Sequence, residues 1–261
     1  MSLDTPRVEG ATGWRVEHHT SLPSTNDRAA ELRAGVHRPR SAVVADRQIS
    51  GRGRKGRSFL SPPGGLYVSL LLAAPEEDLP ARLVALCAVA AAEAIEAHAP
   101  VAVSIKWPND LWVGRRKVGG ILLEAAGTRL PVIAGIGMNL TDAPHALEPG
   151  AALGIGGVGA ICGTTPAREE VLTTLLARID HWQEAGRSSS GGDRIEAAWQ
   201  DRLALIGERV WCQVDGQPCT GVLEAISLAG GLLIRGATGA MWHPAALVQD
   251  LRPETPIPGG P

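Results

Sequence analysis

Downstream of Leu205 the chain reads as strands and turns only. Segments 209–214, 220–227, 231–235 and 246–251 are short apolar runs separated by glycine turns such as Asp215-Gly216 and Gly230-Gly231. That pattern predicts a small β-barrel of roughly 50 residues. The longer stretch before it mixes periods. Segments 41–48 and 66–73 read as strands, as do the apolar runs 101–107, 118–125 and 131–140, each bounded by Gly, Pro or Asn. Between them the alanine-rich run from Leu83 to His98 suits a helix stopped by Pro100. Thr165-Pro166 reads as a cap and first helical position for a helix to about Ala185, with Leu172, Leu175, Leu176 and Ile179 on one face. A Ser/Gly patch at 188–192, read as flexible, precedes a second helix from Arg194 to Leu203. Strands around helices followed by strands alone define an α+β architecture. The expected division is a large domain over 1–205, a small β-domain over 206–252 and a disordered Pro/Gly-rich tail over 253–261.

Composition narrows the function classes. Aromatic residues make up only 3% of the 261, so the core rests on Ala, Val, Leu and Ile. A net charge of −2 gives no long-range attraction to nucleic acid or an anionic membrane, so any basic site must be local. The longest charge-free apolar run, Leu83 to Ala92, is too short to span a bilayer, and the N-terminus carries no apolar signal-peptide core. Cys87, Cys162, Cys212 and Cys219 form no CxxC pair and no metal spacing with histidine, which points to free thiols and a cytoplasmic protein. His18-His19 in a strand would point to opposite faces, a poor start for a metal site.

Chemistry concentrates in two blocks. In the first, Gly51-Arg52-Gly53-Arg54-Lys55-Gly56-Arg57, five cations counting Arg47 crowd eleven positions of a slightly acidic chain. Like charges that dense repel unless an anion joins them, and the interleaved glycines let backbone amides approach it. Gly51 to Gly56 formally satisfies GxGxxG, but Ser61-Pro62-Pro63-Gly64-Gly65 cannot supply the helix that a dinucleotide fingerprint needs. A merely solvated basic loop is the plainer reading. A nucleic-acid patch would bring more stacking platforms than Phe59 and Tyr67.

The second block is Lys106-Trp107-Pro108-Asn109-Asp110-Leu111-Trp112, followed by Arg115-Arg116-Lys117-Val118-Gly119-Gly120. Pro-Asn-Asp is good turn chemistry by itself. A hairpin there brings Lys117 back beside Asp110, where a carboxylate can hold Mg²⁺ among phosphate oxygens and an ammonium can neutralise developing charge. Ser24-Thr25-Asn26 is most simply a helix cap, and Gly135-Ile136-Gly137-Met138-Asn139-Leu140 ends a strand with close-approach glycines.

In this order and spacing, from Ser24 to Leu140 and on through the small β-domain, the blocks resemble the biotin protein ligases. The resemblance implies a class-II-synthetase-like catalytic domain with a small C-terminal SH3-like β-barrel. It implies two half-reactions: biotin and MgATP give biotinyl-5′-AMP and pyrophosphate, and the adenylate then acylates a lysine of a biotin carboxyl carrier domain. Carried over to this chain, Ser24, Thr25, Asn26 and Gln48 bind biotin with Gly51, Gly53 and Gly119. Arg52, Arg54 and Lys117 are catalytic and also touch biotin; Arg57, Phe59, Asn109 and Asn139 face the nucleotide, and Asp110 faces Mg²⁺. Members usually carry tryptophan where this chain has Phe59, which implies a weaker grip on adenine. Only about 20 residues precede Ser24, too few for the helix-turn-helix domain of some members, so DNA binding is not implied. A homodimer through a sheet edge is left open, and a lipoate or octanoate ligase on the same fold is the runner-up.

Overall fold

The structure is a computed structural model and describes residues 3–34, 39–73, 80–124, 131–141, 154–188 and 190–254. Seven strands, β1 (Arg15–His19), β2 (Ser41–Ala45), β3 (Leu66–Leu72), β4 (Val103–Lys106), β5 (Asp110–Val113), β6 (Arg116–Glu124) and β7 (Val132–Met138), form one sheet in the order β1-β2-β3-β7-β6-β5-β4. β1 and β2 run parallel and every other neighbour is antiparallel. The interior strand β3, Leu-Tyr-Val-Ser-Leu-Leu-Leu, lies between β2 and β7 and is buried throughout. Both of its faces are covered, which is why it reads as a continuous apolar run.

Six helices are described: α1 (Thr5–Thr12), α2 (Thr25–Ala34), α3 (Pro80–Glu96), α4 (Val158–Cys162), α5 (Arg168–Gly186) and α6 (Gly191–Gln200). The Ala/Leu/Val run of α3 lies in the main core with α5 and α6 packed on it. Its eleven buried residues include six alanines, so the helix can approach the sheet closely. On the opposite face α2 seats Ala29 and Leu32 on Val43, Leu71 and Ile133. No described helix is long and apolar enough to cross a membrane.

Several boundaries differ from expectation. The strand expected to reach 48 stops at Ala45; beyond it the Asp46 carboxylate pairs with His18 and Arg168, each at 2.7 Å, and Gln48 makes only isolated bridges to Leu22 and Ser61. α5 starts at Arg168 behind Ala167, which offers no side-chain cap. Thr165 is not that cap; its hydroxyl packs at Gly159 instead. α6 begins at Gly191, inside the patch read as flexible, although residue 189 lies outside the described residues.

Beyond α6, residues 202–204 pair with β4: Ile105 N–H donates to the Arg202 carbonyl at 2.7 Å, and Ala204 N–H to the Ile105 carbonyl at 2.9 Å. Five antiparallel strands follow, β8 (Arg209–Val214), β9 (Gln217–Ser227), β10 (Gly231–Gly236), β11 (Gly239–His243) and β12 (Val248–Pro253), in the order β11-β10-β9-β8-β12. Asp215 and Gly216 turn the β8–β9 hairpin with φ of 50° and 74°, the paired positive values of a type I′ turn. Among the described residues no ladder joins β11 to β12, so the expected barrel is found as an open five-stranded sheet. The expected tail begins inside structure: β12 runs to Pro253, and Glu254 N–H donates to the Arg209 carbonyl at 3.0 Å. Residues 255–261 lie outside the described residues.

Candidate active site

A cavity of about 710 Å³ opens where the loop 51–57, the start of α2, the β6–β7 hairpin and β12 meet. At one end the amides of Gln48 and Asn26 are held by neighbours. Gln48 Oε1 accepts from Thr25 N at 2.8 Å and from Thr25 Oγ1 at 3.1 Å, and its Nε2 donates to Ser61 Oγ at 2.8 Å. These three bonds fix which way its amide faces. Ser24 caps α2, its Oγ accepting from Asn26 N at 3.2 Å. Ser69 Oγ donates to Asn26 Oδ1 at 2.5 Å and lies 2.7 Å from Thr25 Oγ1. Asn26 Nδ2 is left without a partner although the residue is only 4% exposed. Asn139, also 4% exposed, donates to the Gly156 carbonyl at 3.2 Å and leaves its Oδ1 unpaired. Buried orphan amides cost stability until a ligand meets them, and both side chains line the cavity.

The basic loop closes on itself across the opening. Phe59 N–H donates to the Gly51 carbonyl at 2.8 Å and Gly53 N–H to the Arg57 carbonyl at 2.7 Å. Lys55 and Gly56 make the tip with φ of 56° and 72°; glycine suits the second position because no Cβ resists it. Arg52 turns away to Asp27 and to Glu124, the latter at 2.9 Å, so its guanidinium ties the loop to α2 and β6. Arg54 reaches Asn109 Oδ1 at 3.4 Å. Burial pushes the Arg54 pKa below its ordinary value, with Asp110 opposing that shift and Arg57 adding to it. Lys55 Nζ donates to Gln249 Oε1 at 2.8 Å and Arg57 pairs with Asp250 at 3.1 Å, so β12 holds the outer side of the loop.

The second block folds as the hairpin its spacing predicts. Lys106 pairs with Asp110 across the β4–β5 turn, and β6 returns Lys117 so that its Nζ lies 2.7 Å from Asp110 Oδ1. Asn109 is pinned by Nδ2 donating to the Ile121 carbonyl at 2.7 Å. Lys106 also faces the cavity. Burial pushes its pKa below the usual lysine value; Asp110 and Asp250 pull it up, while Lys117 and Arg57 push it down.

Among the residues named from sequence, Ser24, Thr25, Asn26, Gln48, Arg52, Gly53, Arg54, Arg57, Phe59, Asn109, Asp110, Lys117 and Asn139 line this one cavity. Gly51 and Gly119 do not line it. A Cβ on Gly119 would stand 2.5 Å from the Gly137 carbonyl oxygen, and one on Gly51 would collide with the Phe59 carbonyl. Glycine is required at both positions for close packing. Gly137 serves the site directly: the Phe59 ring occupies the space its Cβ would take, and meets Tyr67 edge-on at 6.4 Å.

Sequence reasoning gave no site role to Lys106, Trp112, Trp211 or the Val248–Arg252 segment, all of which line the cavity. Lys106 and Trp112 stood inside a block already singled out. Trp211, with the Arg252 guanidinium 4.3 Å above its ring, comes from the far end of the chain with no local signal. Among the described residues no three His, Cys, Asp or Glu side chains gather as a metal cluster. His18 bonds Asp46 at 2.7 Å and His19 bonds Glu17 at 2.5 Å, away from this wall.

Residues 19–140 match the Biotin/lipoate A/B protein ligase family. Over 233 residues, 86% of this chain and 96% of the relative, the sequence is 36% identical to the biotin--[acetyl-CoA-carboxylase] ligase of Paracoccus denitrificans. It is 29% identical over 251 residues to that of Mycobacterium tuberculosis, covering 89% and 88% of the two chains. The fold matches the Aquifex aeolicus biotin protein ligase solved in complex with biotin and ATP, with a TM-score of 0.80, 30% identity, and 92% and 99% of the chains covered. The match places the chain in the biotin/lipoate ligase class. Within that class the chain belongs to the biotin protein ligases.

Proposed function

We propose that this chain condenses biotin with ATP to biotinyl-5′-AMP and then transfers the biotinyl group to one lysine of the biotin carboxyl carrier domain of a biotin-dependent carboxylase, such as acetyl-CoA carboxylase. The observation that carries this is a single cavity with orphan amides at Asn26 and Asn139 and a cluster of cations, Lys106, Lys117, Arg54 and Arg57, around one carboxylate, Asp110. Fixed amides suit a neutral polar head group, and converging cations suit a carboxylate meeting a triphosphate.

In the first half-reaction the biotin carboxylate oxygen attacks the α-phosphorus, an O–P bond forms, and pyrophosphate leaves with the electrons of the broken anhydride bond. Lys117, next to Asp110, is placed to neutralise the carboxylate and then the charge building on the α-phosphoryl oxygens. Arg54, Arg57 and Lys106 hold the phosphates, while Thr25, Asn26 and Gln48 with Ser24 bind the biotin head group. Phe59 and Asn139 belong to the nucleotide side. In the second half-reaction an unprotonated lysine amine attacks the acyl carbon, an N–C bond forms, AMP departs, and a proton is lost to solvent. Arg52 acts by holding the loop to Asp27 and Glu124, which keeps water from the mixed anhydride until the amine arrives.

The residues also fit Mg²⁺. Asp110 offers one carboxylate beside the Asn109 amide, the sparse protein donor set of an ion held mainly by nucleotide phosphates. Such an ion would neutralise phosphate charge. On this reading residues 1–205 form the catalytic unit, class-II-synthetase-like in fold, and 206–252 an SH3-like unit that completes the cavity wall through Trp211 and β12. The four free cysteines are in keeping with work in the cytoplasm.

Intact-mass analysis of a purified carrier domain incubated with the protein, biotin and MgATP tests this. The reading requires one biotinyl group on one lysine and one AMP for each group transferred. An unmodified carrier would overturn it.

A further inference from the structure

The mouth of the cavity carries an apolar pair that the chemistry above does not use. Gln48 N–H donates to the Ser61 carbonyl at 3.0 Å, and the two residues form an antiparallel bridge. Their side chains bond each other at 2.8 Å. One step along the same register sets Ile49 opposite Leu60, and both side chains are exposed. Ile49 is 74% exposed, the highest value among the large hydrophobic residues described, and Leu60 is 41% exposed at the cavity lip. The backbone beneath them is fixed, since Ile49 N–H donates to the Leu22 carbonyl at 2.9 Å. An isoleucine that exposed on an ordered rim costs solvation and gains no packing in the free protein.

We propose that Ile49 and Leu60 are the apolar anchor on which the acceptor protein seats to present its lysine, an inference that rests on the ligase reading above. Two observations choose the acceptor over other occupants. Ile49 follows Gln48 in the chain, and Leu60, its register partner, lines the cavity that an incoming lysine has to enter to reach an adenylate. The rim around it is basic in a chain of net charge −2: Arg47 stands two residues away, exposed and bonded to Ser21 Oγ at 3.1 Å, and Arg54, Lys55 and Arg57 continue the same edge. The matching partner is a small domain with an apolar spot and carboxylates beside its acceptor lysine. An apolar centre with charged neighbours is the arrangement that concentrates binding energy and steers encounter.

The test separates the two half-reactions. Biotin-dependent exchange of pyrophosphate into ATP reports adenylation without any carrier, and steady-state transfer to a purified carrier domain reports docking. Ile49→Asp should leave exchange within about twofold of the parent and raise the carrier KM about tenfold or more with little change in kcat. Ile49→Leu should restore the parent KM, and added salt should raise the parent KM through the basic rim. A carrier KM unchanged in Ile49→Asp with exchange intact overturns the docking surface alone. So does loss of exchange in that variant, which would make the pair a support of the site, or a self-associated dimer that Ile49→Asp dissolves without changing carrier KM. Failure of the parent to exchange pyrophosphate in the presence of biotin would instead defeat the ligase reading, and the surface with it.

Discussion

At the scale of single residues, two lysines with different surroundings carry different expectations. Lys117 sits 2.7 Å from Asp110 on the rigid β5–β6 hairpin. Lys117→Ala should lower biotin-dependent adenylation by about 10² to 10³-fold, the range seen when one preorganised charge is removed. An unchanged melting temperature in that variant would show that the loss is chemical. Lys106 is the other, half-buried in the cavity wall, its pKa pushed down by desolvation. The folded state holds the charged amine less well than the unfolded chain does. That penalty is therefore present below the depressed value and fades as pH climbs to the ordinary lysine range. Lys106→Met should raise the melting temperature of the free protein at neutral pH while weakening ATP, with a KM about tenfold higher. A thermal scan with and without ATP checks both. The residue types were legible in the sequence because their chemistry is local to two blocks. What each atom does was not. Arg52 pairs with Asp27 and Glu124, 25 and 72 residues away, and the close backbone approaches that require glycine at 51 and 119 come from Phe59 and Gly137, which a motif alone does not show.

At the scale of elements, the loop 51–57 is closed by its own hydrogen bonds and by contacts of unequal worth. The Arg57–Asp250 pair is exposed, so it contributes up to about 1 kcal/mol. Asp250→Ala should accordingly raise the escape of adenylate, read as labelling of bystander lysines, by no more than about fivefold. Arg54 reaches across the cavity to Asn109 and also faces Asp110, so Arg54→Gly, which removes that contact and loosens the backbone, should raise it further. Labelling confined to the carrier in both variants would refute loop closure. Hairpins with strong turn chemistry were readable, as at Asp215-Gly216 and the Lys106–Lys117 block. Elements lacking a buried stripe were not. α1 buries only Val8, and β11 is exposed over four of its five residues, so neither shows a period above background.

At the scale of the whole molecule, the C-terminal sheet is part of the cavity wall, and no sequence pattern reveals that. Arg57 and Asp250 lie 193 residues apart, and Trp211 meets the site only because β12 and β8 pair beside the loop. Trp211→Ala should raise the KM for ATP several-fold while leaving biotin affinity near the parent value, measured by calorimetry with biotin alone. Weakening of both would mean that the sheet supports the whole cavity and not its nucleotide side. The most direct measurement is pyrophosphate release from the purified protein with MgATP, comparing biotin, lipoate and neither. Release that requires biotin is the predicted result. Release with lipoate alone would keep the carboxylate-activating chemistry and contradict the substrate, and release with neither or none with either would contradict the site.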